Sequence, residues 1–201
     1  MKDSAVNSSQ GLVLITGGVR SGKSSFAEKL ALESGKQVIY LATARVEDEE
    51  MRERVTLHQS RRPEEVITVE EPLNPHTVLK KIESRESLVI MDCLTLLITN
   101  RMLGHLDRQG AVREGEDIFA DEELIAAAAD HTCEYVREFT AAAVNCPADI
   151  LVVTNEVGMG VVPNFPVARA FRDLSGRANQ VLAAAADQVW MVICGIPQRI
   201  K

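Results

Sequence analysis

Gly17-Gly18-Val19-Arg20-Ser21-Gly22-Lys23-Ser24 is the stretch that decides the fold, because it follows Leu12-Val13-Leu14-Ile15-Thr16 and precedes a helical pattern. The run 12–16 is apolar on both faces, as strands inside parallel sheets are. Ser24–Ser34 places Phe26, Ala27, Leu30 and Ala31 on one side, and Gly35 supplies the stop. Between them the eight residues fit G-x-x-x-x-G-K-[ST], in the strand–loop–helix context the motif requires. Its glycines let several backbone N–H groups turn toward one anion, and the helix that follows adds its positive end. Lys23 is then expected at the β- and γ-phosphates and the Ser24 hydroxyl on Mg²⁺. Chance alone gives such a match in fewer than about one in a hundred chains of this length.

Working outward, strands are expected at Gln37–Thr43, Val66–Glu70, Leu88–Asp92, Ile150–Thr154 and Gln188–Cys194. Helices are expected at Glu47–Gln59, near 75–84, and at Cys93–Leu103, Glu122–Val144 and Val167–Ala186, with 104–121 as a long irregular loop. The alternation predicts an α/β fold with a mainly parallel sheet. Residues 1–10 are expected to form a disordered leader and 11–201 a single domain.

Asp92 closes the apolar run Leu88-Val89-Ile90-Met91. A carboxylate at the end of an inner strand can hold Mg²⁺ beside the phosphate loop, the reading favoured here; it can also cap the helix that follows. His58 is a lone histidine on the inner stripe of helix 47–59, where an imidazole is ordinarily a packed, hydrogen-bonded residue. Arg61 and Arg62 nearby carry charge suited to phosphate. Thr154-Asn155-Glu156-Val157-Gly158-Met159-Gly160 leaves a strand at the edge where open α/β sheets bind ligands.

The 201 residues carry 29 acidic and 22 basic side chains, a net charge of −7, and 46% are hydrophobic. This balance, with only five Phe, two Tyr and one Trp, argues against a dedicated nucleic-acid binder. Residues 105–123 hold seven acids and two bases, so most of the acidity sits away from Arg20, Lys23, Arg61 and Arg62. Cys93, Cys133, Cys146 and Cys194 form no C-x-x-C pair, and no Cys/His cluster suggests zinc. No membrane span is expected, nor an N-terminal signal, and the expected location is cytoplasmic.

Taken together, GGVRSGKS (17–24), YLATA (40–44), DEEMRERVTLHQSRRP (48–63), TVEEP (68–72), MDCLTLLITN (91–100), TNEVGMGVVP (154–163) and FRDLSGRANQ (171–180) resemble the bifunctional adenosylcobinamide kinase/adenosylcobinamide-phosphate guanylyltransferase family of cobalamin biosynthesis. The resemblance runs from Gly11 to Lys201. It implies a RecA-like P-loop fold, a homotrimer, a corrinoid substrate, ATP and GTP as nucleotide substrates, and Mg²⁺. Two reactions are implied: phosphorylation of the aminopropanol hydroxyl of adenosylcobinamide, then transfer of GMP from GTP to that phosphate. The second is implied to pass through a guanylyl group on His58, with Lys23 as the other catalytic residue.

Nucleotide contacts are implied for Gly17, Gly18, Val19, Arg20, Ser21, Gly22, Lys23, Ser24, Ala42, Thr43, Gln59, Ser60, Arg61, Arg62, Glu70 and Asp92. Ser24 and Asp92 are the implied metal ligands. Glu156 is a candidate base for the kinase step. Val19 stands where the family usually has Ala, Val66 where a Trp is common, and 104–121 does not align. Without the resemblance, a P-loop small-molecule kinase lacking nucleotidyl transfer and a nucleotide-dependent regulatory module remain open.

Overall fold

Leu12–Gly17 forms β1, whose six residues are all buried. Both faces of this strand are covered: Leu12 and Leu14 join one apolar cluster and Val13 and Ile15 another. The computed structural model describes residues 11–45, 65–111 and 121–201. The expected leader 1–10 and helix 47–59 lie outside the described residues.

The elements after β1 run, in chain order, α1 (Lys23–Glu33), β2 (Gln37–Ala42), β3 (Ile67–Glu70), α2 (Pro75–Leu79), β4 (Ser87–Asp92) and α3 (Leu94–Arg108). Then come α4 (Glu122–Val144), β5 (Asp149–Val153), α5 (Pro166–Ala185), β6 (Gln188–Ile193) and β7 (Ile196–Arg199). The seven strands form one sheet in the order β3-β2-β4-β5-β1-β6-β7. All neighbours are parallel except β6 and β7. Period-two alternation divides the core accordingly. Val13, Ile15, Leu88, Ile90, Leu151 and Val153 share a cluster with Ala27 and Leu30 of α1. Leu14, Val89, Met91, Ile150 and Val152 share the other with residues of α3, α4 and α5.

Four local outcomes differ from expectation. Helix α2 stops at Leu79 rather than 84, because Pro75 and Leu79 are its buried residues and Lys80 and Lys81 are exposed. Helix α3 continues through Gly104 to Arg108, so residues 104–108 are helical rather than irregular. Met102 and Leu106, four apart, are buried in the core and carry the helix past the glycine. Cys93 precedes α3 as its N-cap position. Strand β7 is unanticipated; it pairs antiparallel with β6, and its Pro197 sits on an edge strand, where a missing donor is tolerated.

One consequence of the order positions the site. Strands β1 and β4 are not neighbours: β5 lies between them. The phosphate-loop strand and the Asp92 strand are therefore about 10 Å apart, two strand spacings.

Candidate active site

The phosphate loop leaves β1 at Gly17 and enters α1 through Gly22, whose φ of 100° lies in the left-handed region that glycine tolerates. Ser21 N–H donates to the Gly18 carbonyl at 3.2 Å and Phe26 N–H to Gly22 at 2.9 Å, closing the curl. Gly17 has φ +151°, and a Cβ there would collide with the Val192 carbonyl oxygen of β6. Gly17→Ala is therefore expected to cost more than about 2 kcal/mol in a urea-unfolding measurement. A loss below half of that would show that the loop can shift off β6.

Lys23 is 7% exposed, and its ammonium donates to the Gly18 carbonyl at 2.6 Å. Burial pushes it below the usual lysine range, while the Asp92 carboxylate pulls the other way. Ser24 Oγ donates to Asp92 Oδ2 at 2.9 Å, spanning the gap that β5 occupies. The Tyr40 hydroxyl donates to the same Oδ2 at 2.6 Å. Asp92 is thus turned toward the phosphate loop, and no side-chain hydrogen bond caps α3. A hydroxyl and a carboxylate side by side are the oxygen donors Mg²⁺ prefers. Among the described residues no group of three or more His, Cys, Asp or Glu could hold a metal ion.

Ala42, Glu70 and Asp92 end three adjacent strands at one level, Ala42 pairing with both others. Thr43 follows directly after β2. It is fully buried, and its hydroxyl accepts from Cys93 N–H and donates to the Cys93 carbonyl, both at 2.8 Å. Asn100 Nδ2 donates to the Thr43 and Pro72 carbonyls. These bonds tie together the ends of β2 and β4 and the loop after β3. Val19 and Arg20 are exposed on the loop. His58, Gln59, Ser60, Arg61 and Arg62 lie outside the described residues.

Tyr40 bonds Asp92, Asn100 the Thr43 carbonyl, Thr95 the Asn155 N–H and Asn179 the Thr154 hydroxyl, contacts to which the sequence pattern assigns no role. All four lie inside the quoted blocks, which is the signal available.

Cys93, beside Asp92, is buried and its thiol is pushed up to about 12, first by desolvation and then by the carboxylate. It stays protonated and is no nucleophile at neutral pH. Cys194 is exposed, Cys133 buried and Cys146 between the two. Brief alkylation of the native protein, mapped by mass spectrometry, is expected to label Cys194 first and spare Cys93. Early labelling of Cys93 would contradict this burial.

The sheet order, the phosphate loop and the facing Asp92 define a P-loop nucleotide-binding protein of the RecA-like arrangement. The assembled ATPase EscN of enteropathogenic E. coli shares this fold: TM-score 0.53 at 13% identity, covering 90% of this chain and 41% of that one. A sequence model described as cobinamide kinase / cobinamide phosphate guanyltransferase matches residues 13–200. The bifunctional adenosylcobalamin biosynthesis protein CobU of Escherichia coli strain K12 is 40% identical over 190 residues, 94% of this chain and 99% of its own. The protein of the same name from Salmonella typhimurium is 38% identical over 192 residues, with the same coverage of both chains. The chain belongs to the cobinamide kinase / cobinamide phosphate guanyltransferase family.

Proposed function

We propose that this chain phosphorylates the aminopropanol hydroxyl of adenosylcobinamide with ATP or GTP and then transfers GMP from GTP to the new phosphate. The observation that carries the nucleotide chemistry is Lys23 and Ser24 on the phosphate loop with Asp92 of β4 facing them. Family membership over 13–200 supplies the acceptor.

In the kinase step the loop N–H groups and Lys23 hold the β- and γ-phosphates and neutralise charge that grows on the leaving oxygen. Positioning and electrostatics are most of what phosphoryl transfer needs from a protein. Ser24 and Asp92 would hold Mg²⁺, which when bound screens the phosphate oxygens. In the second step neutral His58 attacks the α-phosphorus of GTP and pyrophosphate leaves. The phosphate of adenosylcobinamide phosphate then attacks the same phosphorus and His58 departs as free imidazole, giving adenosylcobinamide-GDP. Gln59, Ser60, Arg61, Arg62, Ala42 and Glu70 are assigned to the nucleotide. Thr43 is assigned a supporting role, since its hydroxyl is already engaged with Cys93.

A homotrimer in the cytoplasm is part of the same proposal. Among the described residues no helix is long and apolar enough to cross a membrane.

The test supplies adenosylcobinamide, ATP, GTP and Mg²⁺ and separates products by chromatography. Adenosylcobinamide phosphate without GTP, and adenosylcobinamide-GDP plus pyrophosphate with it, are the expected products. Nucleotide hydrolysis with no corrinoid product would overturn the assignment.

A further inference from the structure

The turn after β5 is held more firmly than a strand exit requires. Thr154 N–H donates to the Ile15 carbonyl and Glu156 N–H to the Gly17 carbonyl, both at 3.0 Å, so the β1–β5 ladder extends up to the phosphate loop. Two side chains from different helices then grip Asn155. Thr95 Oγ1 of α3 accepts from Asn155 N–H at 2.9 Å. Asn179 of α5 accepts from the Thr154 hydroxyl at 2.8 Å and donates to the Asn155 carbonyl at 3.3 Å. Glu156 Oε1 in turn accepts from Gly158 N–H at 3.1 Å, which orients the carboxylate. The turn therefore emerges from the strand between β1 and β4, with the Glu156 backbone bonded to the first residue of the phosphate loop.

Open α/β sheets bind their ligands outside the carboxyl ends of the strands, the edge at which this turn lies. The two acceptors proposed above differ in one chemical respect. The first is a neutral hydroxyl that must lose a proton as it attacks, whereas the second is a phosphate already anionic.

We propose that Glu156 is the base of the first step only, and that Thr95 and Asn179 are positioning residues that fix its turn against the phosphate loop. The hydroxyl proton passes to the Glu156 carboxylate as the new O–P bond forms. The bond from the γ-phosphorus to the β,γ-bridging oxygen breaks, and the nucleoside diphosphate leaves with that electron pair. The proposal rests on the two-step activity above.

The experiment measures both steps separately, supplying adenosylcobinamide with ATP for the first and preformed adenosylcobinamide phosphate with GTP for the second. Glu156→Gln keeps an oxygen for the Gly158 N–H. It is expected to lower kcat of the first step about 10²-fold or more, with KM for ATP and the second step within about threefold of wild type. Asn179→Ala and Thr95→Val are expected to lower the first-step kcat about tenfold with unchanged KM for ATP, and Thr95→Ser to restore it. Equal losses in both steps, or a first step unaffected by Glu156→Gln, would overturn the proposal. Loss in Thr95→Ser matching that in Thr95→Val would remove the positioning role. A wild-type chain that makes neither product counts against the activity itself, a result distinct from any of these.

Discussion

Replacing Lys23 with methionine is expected to lower kcat/KM of both steps by on the order of 10³-fold or more. The two reactions break different bonds, yet each develops charge on the oxygens of the nucleotide's polyphosphate. In the kinase step the charge grows on the β-phosphate. In guanylyl transfer it grows on the departing pyrophosphate. The ammonium proposed to lie beside those oxygens would serve both, and a site only 7% exposed at the lysine makes its field stronger than in water. Lys23→Arg is no rescue, because the longer planar fork cannot occupy the place from which Nζ reaches the Gly18 carbonyl at 2.6 Å. Stability should change little, since methionine fills the same buried path without the cost of burying a charge. Steady-state kinetics with a thermal melt checks both halves. Activity within tenfold of wild type would show that the lysine is not at the phosphates.

His58→Ala is expected to separate the two reactions. Guanylyl transfer should fall by on the order of 10⁴-fold or more, the scale of losing a nucleophile, while phosphorylation of adenosylcobinamide stays within about threefold. The distinctive readout is the intermediate. Incubating the wild-type chain with Mg²⁺ and GTP labelled at the α-phosphate should leave acid-labile, alkali-stable label on the protein, the behaviour of a phosphorus–nitrogen bond. No label on wild type, or label persisting in His58→Ala, would remove the histidine from the mechanism. The same label should appear on Glu156→Gln, which ties this prediction to the division of labour between the two acceptors.

The features legible in the sequence were those written within a few neighbouring residues. The phosphate loop needs eight consecutive residues and an apolar strand before it, and both are found at 12–24. Asp92 was legible as the end of an apolar run that favours a metal role, but the capping role stayed open there. The choice depends on Ser24 and Tyr40, which lie 68 and 52 residues away in the chain. Thr43 shows the same limit from the other side. It stands in a stretch matched to nucleotide contact, and only its burial against Cys93 shows that its hydroxyl is engaged. Residues 104–108 read as the start of an irregular loop, yet the buried Leu106 prolongs helix α3 to Arg108. Strand β7 left no periodic signal, since Ile196-Pro197-Gln198-Arg199 is short, mostly exposed and interrupted by proline.

The neighbours of the phosphate loop have a bearing on how the protein is made. The motif is complete by residue 24, but β1 lies between β5 and β6, both more than 130 residues downstream. Gly195 N–H, in the turn after β6, donates to the Ser21 carbonyl at 2.8 Å. At typical synthesis rates the loop therefore waits roughly 10 to 35 s for its backing to be made. Until β5 is made, β1 is an apolar segment with both edges unpaired, and one edge stays open until β6 follows, a template for pairing with other chains. Nucleotide cannot shield it, because the site that would bind nucleotide does not yet exist. The nascent chain's most vulnerable period is thus set by its topology, and it ends only as the last strands are made.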